Sequence, residues 1–192
     1  RRRAGADAAG GFDLLVGMES GKGRDRDGGA ARRRVVACLD PVPPLRPQFL
    51  AGRDRLAAEG GVERLVAELA SRTLYPDCLI NNARSLDYLK AQDSGIVSRE
   101  NFANEYVLDV VVPYELTMIL AKHSNSRLAK VVNIGSQYGS VAANPSLYDD
   151  PERQSPIHYS VAKAALVHLT RELAVRLANQ AARRFFTVVV GK

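Results

Sequence analysis

The chain is poor in cysteine and histidine and has no long apolar run, and each scarcity removes a class of protein. Two cysteines in 192 residues, Cys38 and Cys78, do not make a disulfide framework. Both sit in apolar, strand-like runs, which predicts buried thiols in a reducing, cytoplasmic setting. The three histidines, His123, His158 and His168, have no metal-ligand spacing with acids or cysteines. No metal site is therefore expected, and solvated or packing roles are, although His158 is also a candidate for lining a substrate cleft. No stretch approaches the roughly 20 apolar residues of a membrane span, so no membrane contact is expected. The opening Arg-Arg-Arg has no apolar segment behind it and is not expected to be a secretory signal. Positive charge is present, at a net +6, but it is not arranged as a nucleic-acid face. Residues 1–34 hold nine Lys/Arg against five Asp/Glu, a net +4 that leaves only +2 for the rest. That excess is glycine-rich and has no aromatic interleaving, so nucleic acid is not an expected partner.

What remains is an ordinary globular composition, 46% apolar and 25% charged, long enough for one domain with a sizeable core. Residues 1–10 are expected to be a disordered arm and 11–192 a single domain. Residues 12–16 form a short apolar run that ends at Gly17-Met18-Glu19-Ser20-Gly21-Lys22-Gly23. A strand running into such a turn suits a dinucleotide: glycines let the backbone approach a pyrophosphate at a helix N-terminus. Gly17, Ser20, Gly21 and Gly23 are thus cofactor-binding candidates. The next helix should run over 24–33, yet Arg-Asp-Arg-Asp-Gly-Gly is a poor helix former without an apolar face. Residues 35–40 read as a buried strand ending in Asp40, an acid placed to bond ribose hydroxyls and to favour NAD over NADP. Lys22 and Arg24 pull the other way. Residues 41–61 are rich in Pro, Gly and Arg, with a candidate short strand at 48–51.

From there the pattern is regular. Val62, Leu65, Val66 and Leu69 predict a helix to about residue 71, and 77–81 a strand closed by Asn81-Asn82-Ala83-Arg84. A helix should begin near 101–103 and run towards Lys122. Pro113 lies inside it, cannot donate to the Asp109 carbonyl and should kink the helix there. Residues 130–134 form a strand ending at Gly135-Ser136, and a Pro-, Asp- and Gly-rich loop leads to Tyr159-Ser160-Val161-Ala162-Lys163. Leu166, Leu169, Leu173 and Leu177 continue that segment as a helix to about 178. Four-residue spacing puts Tyr159 and Lys163 on one face. An ammonium beside a phenol favours the phenolate, and such a pair can exchange a proton with an alcohol oxygen. A last strand is expected at 185–190.

Alternating strands and helices imply an α/β fold, a three-layer doubly wound parallel sheet with ligands at the carboxyl ends of its strands. Gly17–Gly23, Asp40, Asn81–Ala83 and Ser136 fall at such ends.

Val132-Asn133-Ile134-Gly135-Ser136, followed by Tyr159-Ser160-Val161-Ala162-Lys163 and preceded by Ile80-Asn81-Asn82-Ala83, resembles the short-chain dehydrogenase/reductase family in its shorter branch. The resemblance implies a Rossmann fold and NAD or NADP as cofactor. It implies Tyr159 as catalytic acid/base, Lys163 lowering its pKa and binding the nicotinamide ribose, and Ser136 bonding the substrate oxygen. Gly17, Gly21 and Gly23 resemble the pyrophosphate turn, and Asn81 and Ala83 the segment beside the adenosine ribose. Asp109 stands where the family usually carries Asn, completing the catalytic set. Val16 and Arg84 replace a usual Thr and Gly. The expected reaction interconverts a secondary alcohol and a carbonyl, with a sugar or related metabolite among the candidate substrates. A homodimer or homotetramer through the helices at 103–122 and 159–178 is implied as well. The family normally continues past the strand at 185–190, so a truncated form lacking the last strand and substrate lid is expected. Two alternatives stand beside the oxidoreductase: a non-catalytic binding or assembly protein keeping the fold, and a sugar-nucleotide epimerase or dehydratase, suggested by the long loop between Ser136 and Tyr159.

Overall fold

A computed structural model describes residues 15–20, 33–38, 56–92, 94–178 and 184–190. Its centre is a parallel sheet of three strands, β3 (Cys78–Asn81), β4 (Lys130–Ser136) and β5 (Arg184–Val190), in that order. Leu79 pairs with Val131 and Asn81 with Asn133, and β4 continues in register with β5 from Lys130–Arg184 to Ser136–Val190. Side chains alternate across a strand, so Leu79, Asn81, Val131 and Asn133 share the buried face, while Ile80, Val132 and Ile134 are half-buried on the other.

Three helices close the buried face. α1 (Gly61–Ser71) presents Val62, Leu65, Val66 and Leu69, the stripe expected of its spacing. It starts after Gly60, whose φ of 68° is a left-handed conformation suited to glycine. It ends where the Leu74 N–H turns back to the Leu69 carbonyl, over Thr73 at φ 57°. Leu116 and Leu120 of α3 (Val112–Lys122) and Leu173 of α5 (Ile157–Arg176) join that stripe with Leu79 and Val131 in one core. Truncating a leucine this deeply buried to alanine costs about 2–5 kcal/mol.

The helix before α3 supplies the irregularity that shapes the site. α2 (Arg99–Tyr106) is capped by Ser98, whose Oγ accepts the Asn101 N–H at 3.1 Å, so it starts slightly earlier than the apolar pattern implied. From Val107 to Val111 the chain widens into a π-helical turn, and the Val112 N–H reaches back five residues to the Val107 carbonyl. Pro113 lies directly beyond. Lacking an N–H, it cannot close the α-helical bond to Asp109, and the wider turn absorbs the mismatch. At the expected kink stands a π-bulge centred on Asp109, with α3 resuming after it. Short 3-10 turns at Gln137–Gly139 and Pro145–Leu147 and a one-turn α4 (Pro151–Gln154) occupy the long loop before α5.

The N-terminal part departs from expectation. β1 (Leu15–Ser20) pairs antiparallel with β2 (Arg33–Cys38), Leu15 opposite Cys38 and Ser20 opposite Arg33. Gly17 and Ser20 therefore lie within an extended strand, where a turn was expected to begin. A dinucleotide-binding crossover joins parallel strands, and β1 and β2 are antiparallel. Gly21, Gly23 and Asp40, the arm at 1–10, the helix expected at 24–33 and the strand at 48–51 lie outside the described residues. Cys78 is half-buried rather than fully buried.

Candidate active site

The carboxyl ends of β3 and β4 and the first turns of α5 meet the π-bulge, and the side chains of the site are drawn from these four places. Tyr159, half-buried, stands in the first turn of α5, one turn before Lys163. The Lys163 ammonium lies 5.6 Å from the centre of the Tyr159 ring, which realises the shared face expected of their spacing. The guanidinium of Arg84, just beyond β3, lies over the same ring at 5.3 Å.

Lys163 is anchored twice. Its Nζ donates to Asp109 Oδ1 at 3.0 Å and to the Ile134 carbonyl of β4 at 3.1 Å. An ammonium has three donors, so one more is available to a ligand. The second anchor ties α5 to the strand end that carries Ser136. Gly139 ties them again: a Cβ there would stand 2.9 Å from the Lys163 carbonyl oxygen, so only glycine lets the turn after β4 approach the helix this closely. Ser136 is itself buried, and its Oγ accepts the Tyr138 N–H at 3.2 Å, which orients the hydroxyl and leaves its proton to give.

Asp109 and Glu105 form the floor. Asp109 is 3% exposed and Glu105 1% exposed. Burial pushes the Asp109 carboxyl up, and the Lys163 ammonium opposes that shift both by charge and by hydrogen bond. Burial also pushes Glu105 up, to about 7, with the Asp109 charge adding to the effect and Lys163 and Arg84 opposing it. Asp109 Oδ2 and both Glu105 oxygens have no hydrogen-bond partner. Glu105 was not among the sequence candidates. The one signal for it was its position four residues before Asp109, in a segment with no apolar periodicity to mark an inward face.

Asn81 is brought to the site but turned into the core. Its Nδ2 donates to Asn133 Oδ1 at 2.7 Å, Asn133 Nδ2 donates to Thr170 Oγ1 at 2.8 Å, and Thr170 returns a bond to the Leu166 carbonyl. This chain of side chains bolts β3 and β4 to α5. Asn81 and Ala83, with Asp109 and Lys163, line a cavity of about 10 Å³, room for about one water. His158 does not line the cleft: it is 1% exposed, its Nε2 lies 2.7 Å from the Tyr88 carbonyl, and it packs on Phe102.

A tyrosine, a lysine, a serine and two carboxyls are thus gathered at the strand ends of a parallel α/β sheet. A family model described as Enoyl-(Acyl carrier protein) reductase matches residues 56–188, more than half of the chain. The protein belongs to the short-chain dehydrogenase/reductase family, an oxidoreductase family. Among solved structures it is similar to 4-hydroxyisoleucine dehydrogenase complexed with NADH and succinate, at 26% identity and a TM-score of 0.55, covering 70% of this chain and 58% of that one. An oxidoreductase from Brucella ovis (23% identity, 70% and 61% covered, TM-score 0.55) shares the fold. So does the bulky-bulky ketone specific alcohol dehydrogenase from Comamonas testosteroni (20% identity, 71% and 49% covered, TM-score 0.53). The chain thus spans about half to three-fifths of the length of these structures. No curated protein matches it. The family match begins at Leu56, so the antiparallel β1–β2 pair lies outside it. Among the described residues, no helix is long and apolar enough to cross a membrane.

Proposed function

We propose that the protein is a nicotinamide-dependent oxidoreductase that interconverts a secondary alcohol and a carbonyl, with Tyr159 as the acid–base. The observation that carries this reading is the double anchoring of Lys163, to Asp109 and to the Ile134 carbonyl, one helical turn from Tyr159. An ammonium held there stabilises a phenolate on Tyr159, which can then take a proton from an alcohol or return it to a carbonyl oxygen. Ser136, oriented by the Tyr138 N–H, donates to that same oxygen. A nicotinamide, when bound, would supply or accept the hydride. The residues on its side of the site fit such a group: Lys163 retains a donor for a ribose hydroxyl, and the Asn81–Ala83 backbone forms the adjoining edge. Gly17 and Ser20, in an antiparallel strand, do not form a pyrophosphate cradle as they stand. Whether NAD or NADP is used, and whether the substrate is a sugar, belongs to the same proposal, and Asp40 supports NAD.

Titration with NADH and with NADPH, followed through the fluorescence of the cofactor itself, tests the reading in a chain without tryptophan. Saturable binding is expected. Failure of both to bind overturns it.

The β1–β2 pairing favours a second reading, a family member that keeps the fold without turnover. Cofactor oxidation that disappears in Tyr159→Phe would refute that reading. Exposed Phe102 and Tyr106 on α2, Tyr114 on α3, and Val161 and Val175 on α5 support a homodimer or homotetramer. Light scattering should report a multiple of 20.9 kDa, and a monomer would contradict it.

A further inference from the structure

We propose that Glu105 enters the folded site as a neutral carboxylic acid whose O–H is given to Asp109 Oδ2, making Glu105 a positioning residue for Lys163. The proposal deepens the acid–base reading of the site, and its first test does not depend on that reading.

Glu105 is 1% exposed, and neither of its oxygens has a partner. An ionised carboxylate in that position would be dry and unbonded, a state that proteins avoid by neutralising the group. Asp109 Oδ2 is equally buried and equally unpartnered, while Oδ1 is occupied by Lys163. One oxygen needs a donor, and four residues away on the same helical face stands a side chain that becomes a donor by keeping its proton. Charge arithmetic agrees. Two buried carboxyls share one buried ammonium, the Arg84 guanidinium beside them being exposed to solvent, so a proton kept on Glu105 avoids a second buried negative charge.

The groups facing Glu105 are Asp109 on the π-bulge, which raises its pKa, and Lys163 on α5 and Arg84 after β3, which lower it. Desolvation, the largest influence, acts together with Asp109 against Lys163 and Arg84 and pushes Glu105 to about 7. His158 of α5 lies on Phe102 of the same helix as Glu105, with its Nε2 taken by the Tyr88 carbonyl. The two carboxyls are coupled, and the proton that the pair retains sits on Glu105. Asp109 keeps the charge because the ammonium bonds it directly.

Infrared difference spectroscopy on the intact protein reads the proton itself. Below about pH 7 a carbonyl-stretch band of a protonated, non-aqueous carboxylic acid is expected, lost on raising the pH through that value and absent in Glu105→Gln. No such band, or a band unchanged in Glu105→Gln, overturns the proposal. Glu105→Gln retains an N–H to give to Asp109 Oδ2, and Glu105→Ala does not. Circular dichroism establishes that each variant is folded. Where turnover is present, Glu105→Gln should keep kcat and lose the part of its pH dependence near 7, while Glu105→Ala should lower kcat. Equal kcat in Glu105→Gln and Glu105→Ala would contradict the positioning role even if the band is present.

Discussion

The Lys163 ammonium and the Asp109 carboxylate meet at 3.0 Å with side chains 8% and 3% exposed, a buried ion pair at the centre of the site. Where the family usually has an amide, this chain has a charge, and that charge is committed to the lysine beside Tyr159. Such pairs contribute little net stability relative to a well-packed apolar core, yet breaking one is costly because it strands the other charge.

Asp109→Ala should therefore destabilise the protein by about 3–5 kcal/mol in urea unfolding. The double variant Asp109→Ala/Lys163→Met should recover most of that loss, because no unpaired ammonium remains. A single-variant loss below about 1 kcal/mol, the level of an exposed pair, would contradict the geometry.

Gly139 is predicted to resist substitution. In Gly139→Ala the new methyl would sit 2.9 Å from the Lys163 carbonyl oxygen and 3.0 Å from its carbon, both backbone atoms that cannot swing aside. The turn or α5 has to shift, at a cost of about 1–3 kcal/mol. Thermal unfolding should show the loss. A melting temperature equal to that of the parent would mean that the turn does not approach the helix so closely.

The pH dependence of stability has a sign that Glu105 sets. Its folded pKa, about 7, lies above its ordinary value of 4.5, so between those values the folded protein binds more protons than the unfolded chain. Its contribution is fully present below 4.5 and is lost as pH rises through 7, a swing of roughly 3 kcal/mol at most. Burial shifts Asp109 in the same direction. Glu105→Gln should be the more stable protein at pH 8 and lose that advantage at pH 5. The reverse trend in the difference between the two proteins would contradict the burial of an unpartnered acid.

Much of this architecture was legible in the residues, for physical reasons that differ from place to place. The Val62-Leu65-Val66-Leu69 stripe can be satisfied only by a helix on a core, and α1 forms there. Pro113 announced a defect at Asp109 because its missing N–H is a local fact, independent of tertiary context, although the form of the defect depends on what packs against it. The short apolar run before Gly17 was not sufficient. A strand's composition does not encode the direction of its neighbour, and β1 runs antiparallel to β2. Asn81 stands at the strand end its sequence implied, and the partner of its amide could not be read from the neighbouring residues. Its partner Asn133 lies 52 residues away and is brought opposite by the parallel register. Glu105 was missed because burial of an acid defies the composition rules on which such readings rest.

Turnover of NADH and NADPH across a panel of ketones, by the parent chain and by Tyr159→Phe, measures whether the Tyr159 hydroxyl moves a proton. Carbonyl reduction by the parent is expected, with a loss of at least about 10²-fold in Tyr159→Phe and cofactor binding retained, as when a general acid is removed. Equal turnover in the two proteins would show that the Tyr159 hydroxyl moves no proton, and would contradict its acid–base role.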